Sequence, residues 1–384
     1  MQNKKITPGN KQKSVGAIII IALALIIIAC LIIFALTRKP KITYEYYINN
    51  NQSNIAGLNI TSYECNNGTI LNIDKDNNTY TIESATKNSL CKLYYEDTAG
   101  EQLMNLASID TLQEENKTYI DENGVLRYYG ENALNYIYFN CDNDSDTSTC
   151  ETWRIVSVSK VSDVTKKNKY NLKIVKDTPL TAKNITTNQD ITEFEWNNNR
   201  GFNYLESSIY NLLNDAYYNA SSNYSYTNKN NETINLDFSK TGLKNDKVRN
   251  AVSYGTWRIN ANTDNNQTIS NWYSDTAYGN MANFNIGLIS ISDYILSLKD
   301  ECNNIKINAF GTCEAKSYLS KENGFFVSDS YQEKDGYVYR IAGNNAINAI
   351  YPTAQYNIYP TLYLNEDVKI ISGDGSASNP YHLG

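Results

Sequence analysis

The chain has 384 residues, of which 41% are hydrophobic, 20% charged and 12% aromatic, and it carries a net charge of −7. That apolar fraction can build a packed core and excludes a disordered stalk, and an acidic balance with no basic patch argues against a nucleic-acid partner. The single histidine, His382 near the C-terminus, leaves nothing for His-based triads, imidazole zinc sites or most His acid–base chemistry, while carboxylate chemistry stays open.

Residues 17–36, AIIIIALALIIIACLIIFAL, contain no charge, proline or glycine. As a helix they would rise about 30 Å, the hydrocarbon thickness of a bilayer. Lys4, Lys5, Lys11 and Lys13 precede the run, and Arg38, Lys39 and Lys41 follow it. Residues 1–41 hold seven basic and no acidic side chains, so they carry +7 and the rest of the chain −14. This asymmetry predicts a cytoplasmic N-terminus. The apolar core ends in Phe34-Ala35-Leu36-Thr37-Arg38 with no A-x-A cleavage pattern there, and Leu31–Phe34 continue the apolar stretch beyond Cys30, which argues against both a cleaved signal and a lipid-modified cysteine. The expectation is a signal anchor: a cytoplasmic tail over 1–13, a transmembrane helix over 14–37, a linker over 38–43, and a single-pass cell-membrane protein with its C-terminal domains extracellular at the cell surface. The membrane is then one partner, held through residues 17–36.

Residues 44–97 read as a small all-β module. ITYEYYI, GLNITSYEC, TILNI, TYTIESA and CKLYYED alternate apolar and polar positions between Asn/Asp/Gly turns. The stretch 74–78, DKDNN, lacks the Gly and Glu of a calcium loop and is read as a hairpin tip. Residues 98–117 read as a helical connector with Leu103, Leu106, Ile109 and Leu112 three apart.

Residues 118–384 are expected to form an α+β domain. Trp153–Val158 and Leu172–Lys176 read as strands about a Lys-rich turn, and Tyr204–Tyr218 as one amphipathic helix with Leu205, Ile209, Leu212 and Ala216 inward. Ser292 and Asp293 are expected to cap a short helix, and Tyr359–Leu364 and Val368–Ile371 to close the domain as a pair of strands. The loop Cys141–Cys150 carries Asp142, Asp144 and Asp146 at alternate positions but no calcium-loop Gly or Glu, so a solvated turn is favoured over a metal site.

Apart from Cys30 there are six cysteines, which in an exported domain point to disulfides; C-x-x-C metal spacing is absent. Six cysteines allow 15 pairings, and clustering favours neighbours: Cys65 with Cys91, Cys141 with Cys150, Cys302 with Cys313. Tyr numbers 32 against 9 Phe. A/T-rich codon usage accounts for the average tyrosine, and ligand contact is an expectation only for Trp272, Tyr273 and Tyr278, which stand in an Asn/Ser/Gly-rich loop. No catalytic, metal or cofactor residues are assigned.

Three runs, Gly124–Gly130 (GVLRYYG), Asn135–Asn140 (NYIYFN) and Trp153–Val156 (WRIV), together with Ile286–Tyr294 (IGLISISDY) and the ending Tyr359–Leu364, Gly373–Ser376 and Asn379–Tyr381, resemble a pattern of uncharacterised surface proteins of AT-rich, low-GC Gram-positive gut bacteria. Tyr359 stands where Arg is common in that pattern. The resemblance implies a surface-exposed domain, distantly akin to the C-type-lectin-like fold of formylglycine-generating enzymes, and it carries no activity with it. The expected function is that of a membrane-anchored extracellular binding or structural protein whose partner is a glycan, peptide or envelope component. The alternative is a carboxylate-based surface hydrolase such as a glycosidase.

Overall fold

In a computed structural model, the described residues are 43–48, 60–65, 69–74, 79–84, 89–95, 97–161, 169–259, 268, 280–331 and 336–384. Five strands follow the alternation of the N-terminal module: β1 (Thr43–Ile48), β2 (Ile60–Cys65), β3 (Ile70–Asp74), β4 (Thr79–Ser84) and β5 (Ser89–Tyr95). β1, β5 and β2 form one antiparallel sheet and β3 pairs with β4, Asp74 facing Thr79 at the foreseen tip.

Two short helices come next, α1 (Ala99–Ala107) and α2 (Asp110–Asn116). Thr98 caps α1 in a reciprocal box with Glu101, satisfying two of the amides that a helix start leaves open. Ala99, Leu103 and Ala107 are buried, and α1 packs on the central sheet. Gly100 is required there, since a Cβ would meet the backbone oxygen of Tyr170 at 2.9 Å.

The central sheet has nine strands. Its first five are β6 (Thr118–Ile120), β7 (Leu126–Tyr128), β8 (Tyr136–Phe139), the long β9 (Glu151–Lys160) and β10 (Tyr170–Lys176). Helices α3 (Ser208–Asn211) and α4 (Asp246–Ala251), the two-stranded ribbon of β11 (Gly255–Ile259) and β12 (Asn280–Phe284), and the sheet strand β13 (Ile286–Gly287) follow. Then come α5 (Ile291–Leu296), β14 (Phe325–Tyr331) in a separate five-stranded sheet, and the last sheet strands β15 (Thr361–Leu364), β16 (Ile370–Ser372) and β17 (Tyr381–Leu383). The central order is β13-β15-β10-β9-β8-β17-β16, and β7 pairs with both β6 and β9. β9 is long enough to serve two short partners on one side, β7 through Leu126 and Arg127 and β8 through residues 136–139. The apolar face, with Leu126, Val156, Val158, Leu172 and Ile174, is fully buried. Gly375 turns the chain before β17 with φ +79°, a left-handed conformation that favours glycine.

Several expectations are corrected. The α+β, C-type-lectin-like class gives way to a mostly β architecture with few helices, and no C-type-lectin fold is shown. The reason lies in the runs themselves, which are short, alternating and rich in β-branched and aromatic residues. Tyr204–Tyr218 is not one helix: Ser207 leaves helical geometry to cap α3, a 3₁₀ turn precedes it and a π turn follows, and Leu205 is exposed while Ile209, Leu212 and Ala216 are buried. β15 and β16 exist but pair with other strands, not with each other. His382, the single histidine, lies within β17. The transmembrane helix, the signal anchor and the single-pass membrane localisation are likewise corrected. Among the described residues no helix is long and apolar enough to cross a membrane, and the longest regular α-helix is the nine-residue α1. The segment that prompted that expectation, 17–36, lies outside the described residues.

Candidate functional site

A concave feature lined by several charged and polar side chains begins as a row across four strands. Arg127 on β7 faces Ser157 on β9, Ser157 faces Lys173 on β10, and Lys173 faces Tyr363 on β15. Side chains two apart on a strand share a face, so Ser159 joins Ser157 and extends this polar row. The row floors a chamber of about 460 Å³, a size typical of ligand sites. Its walls come from Glu122 and Asn123 in the β6–β7 turn, Trp257 and Arg258 on β11, Ser290, Ser292 and Asp293 at the start of α5, and Ser328 on β14.

Asp293 organises the charges. Its Oδ2 accepts from the Ser290 amide at 2.8 Å and the Ser290 hydroxyl at 3.0 Å, closing the capping box of α5. The same oxygen accepts from Lys173 Nζ at 2.6 Å, and Oδ1 lies 3.8 Å from Arg127. Burial pushes this carboxyl up, but Lys173 and Arg127 outweigh it and hold it below the ordinary aspartate value. Burial pushes the Lys173 ammonium down, and Asp293 more than offsets that, leaving it above the usual lysine value. Both groups therefore remain charged at neutral pH. Lys173 Nζ also lies 5.2 Å from the Trp257 ring centroid and 5.6 Å from that of Tyr363. Arg127 is held from its other side by Asp121 at 3.1 Å.

A second carboxylate, Asp329, stands next to Ser328 and is only 3% exposed. Its Oδ2 accepts from the Ile291 amide at 2.7 Å. Burial, reinforced by Asp293, raises it to about 7, while the Ile291 N–H, Lys173 and Arg258 pull the other way.

The serines differ from the ion pairs. Among the described residues the hydroxyls of Ser157, Ser159, Ser292 and Ser328 line the chamber without a hydrogen-bond partner, although Ser157 and Ser328 are 4% and 2% exposed. Two of these serines are buried and two half-buried, and four hydroxyls that can both donate and accept around one chamber suit it to a polar ligand. Tyr363 meets Trp257 edge-on at 4.8 Å and supplies an aromatic wall, whereas Trp257 itself is buried and stacked on Phe284 at 5.0 Å.

Trp272, Tyr273 and Tyr278, the ligand contacts expected from the sequence, lie outside the described residues. Of the disulfide candidates, Cys141–Cys150 and Cys302–Cys313 are bonded; Cys65 is disulfide-bonded and faces Cys91 in the β2–β5 register. The acidic loop is a closed turn: Lys244 binds Asp142 at 2.7 Å, Lys247 binds Asp144 at 2.5 Å, and Asp146 caps Ser148. Among the described residues no group of three or more His, Cys, Asp or Glu could hold a metal ion.

The motif residues behind the sequence resemblance converge on the chamber: Arg127 from LRY, Asp293 from SDY and Tyr363 from the closing run. Arg154 of the WRI run does not. It lies 3.6 Å over the Tyr136 ring, bonds Asn135 Oδ1 at 2.7 Å and serves the fold. No protein-family model, no curated protein and no solved structure matches this chain.

Proposed function

We propose that this chain is a carbohydrate-binding protein whose ligand sits in the chamber between Arg127 and Tyr363. The observation that carries this reading is the set of four serine hydroxyls without partners among the described residues, placed beside charges that are already paired. A free ion would have to compete with the Lys173–Asp293 and Arg127–Asp121 pairs. A sugar hydroxyl both donates and accepts, so it can bond a serine and an ion-paired group at once without breaking either pair. Tyr363 offers an aromatic surface for the C–H face of a sugar ring.

A carboxylate hydrolase has one observation of its own, the contrast between an ionised Asp293 and a neighbouring Asp329 raised to about 7. Binding is nonetheless the better reading. Asp293 Oδ2 is occupied by the Ser290 amide and hydroxyl and by Lys173, and Asp329 is not among the residues lining the chamber.

The test is a glycan array probed with the purified full-length chain and with Ser292→Trp, which puts an indole into the chamber from a half-buried position. Binding by the parent chain and loss of it in a folded Ser292→Trp variant support the reading. No saccharide bound, or equal binding by both proteins, overturns it.

A further inference from the structure

A second cavity of about 260 Å³ adjoins the chamber, and the two share Ser159 and Tyr363 as common lining. Its other walls are Lys160 and Val161 at the end of β9, Asn171 on β10, and the segment Ser253–Thr256 that leads into β11. Asn171 faces Ser159 across the β9–β10 pair, so the polar row of the first chamber runs on into the second. Tyr363 stands between them. On one side it meets Trp257 at 4.8 Å, and on the other its ring lies against Gly255, where a Cβ would come within 3.0 Å of Cδ2. Tyr254, 67% exposed, adds a large aromatic surface at the edge of the second cavity.

We infer that the ligand is a linear oligosaccharide, with one sugar in the serine chamber, the next in the cavity beside Asn171, and the linkage crossing Tyr363. The inference rests on the carbohydrate reading and extends it from a monosaccharide to a chain. Both cavities carry hydroxyl, amide and aromatic groups, beside the charged side chains of the first and Lys160 of the second. The second holds Ser159, Asn171, Ser253 and Thr256, which suit a run of hydroxyls, and offers only Val161 as an apolar side chain, too little for the anchors of a peptide. Asn171 Nδ2 is held by the Leu364 carbonyl at 2.7 Å, which fixes the amide and leaves its oxygen as an acceptor. Gly255 sets the gap at the crossing, because a side chain there would push the Tyr363 ring toward the first chamber.

The experiment titrates the full-length chain with mono-, di- and tetrasaccharides of glucose, mannose, galactose and N-acetylglucosamine, read by calorimetry and ligand-observed NMR. In at least one series the disaccharide should bind about 10-fold tighter than the monosaccharide, the gain expected from roughly 1.4 kcal/mol of added contact. Tyr254→Ala should remove most of that gain and leave monosaccharide binding within about twofold, whereas Gly255→Val, which moves the Tyr363 ring shared by both cavities, should weaken mono- and disaccharide alike. Tyr254→Ala keeps the test decisive if Gly255→Val fails to fold, since Tyr254 is exposed. Equal affinity for mono- and oligosaccharides, with Tyr254→Ala neutral, overturns the two-chamber inference while the sugar site stands. Failure of every series to bind overturns both, as does selective capture of extended peptides in a parallel peptide titration.

Discussion

Replacing Asp329 by Asn should change how stability depends on pH. Asp329 is 3% exposed, accepts from the Ile291 amide at 2.7 Å, and is raised from 3.8 to about 7 by burial and by Asp293 against the opposing pull of Lys173 and Arg258. A raised carboxyl means that the folded chain binds one more proton than the unfolded chain between these two values. Stability contributed by this group is therefore full below about pH 4 and is lost as pH rises to about 7. Some three pH units at about 1.4 kcal/mol each set a ceiling of about 4 kcal/mol. Asn keeps an oxygen for the Ile291 amide and carries no charge, so Asp329→Asn should match the parent near pH 4 and exceed it progressively up to pH 8. Asp293 does not blur the comparison, because its lowered carboxyl loses its contribution only below the ordinary aspartate value. The assay is urea unfolding of both proteins at half-unit steps from pH 4 to 8. A difference between them that stays flat within about 0.5 kcal/mol across the range would refute the placement of Asp329 as a buried, destabilised carboxyl.

Lys173→Met should cost about 3–5 kcal/mol, because it strands the buried Asp293 carboxylate, and adding Asp293→Asn should recover part of the loss in the same urea measurement. Replacing Cys302 and Cys313 together by Ser should lower stability by about 2–4 kcal/mol, and reductant should then have less effect on the melting temperature than in the parent chain. Millimolar calcium should leave the melting temperature unchanged, since Lys244 and Lys247 already hold Asp142 and Asp144.

Much of the strand structure is legible in the sequence. The five strands of residues 43–95 announce themselves by alternation and by Asn/Asp/Gly turns. β9 and β10 do so by their apolar content. The Tyr204–Tyr218 pattern misleads, because its three-to-four spacing counts apolar residues and not the tendency of Ser207 to cap, which restarts the helix and turns Leu205 outward. The site is harder to read for a different reason. Arg127, Ser157, Lys173, Asp293 and Tyr363 come from five separate segments: strand pairing brings four of them together, and the start of α5 adds Asp293. One local signal was present: V-S-V-S in β9 and N-L-K in β10 place polar side chains at every second position of otherwise buried strands. An Asn/Ser/Gly-rich loop sequence points instead to Trp272, Tyr273 and Tyr278, while most polar groups of the chamber lie inside strands that read as core. The SDY run reads as a cap in the sequence; the capping residue is Ser290, and Asp293 closes its box while also holding Lys173.

The measurement that bears most directly on the carbohydrate site is a crystal structure of the full-length chain with the saccharide that binds it most tightly on the array. The expected result is a sugar ring beside Tyr363 with its hydroxyls on Ser157, Ser292 and Ser328. A saccharide bound elsewhere on the chain, with those three serines untouched, would contradict the assignment.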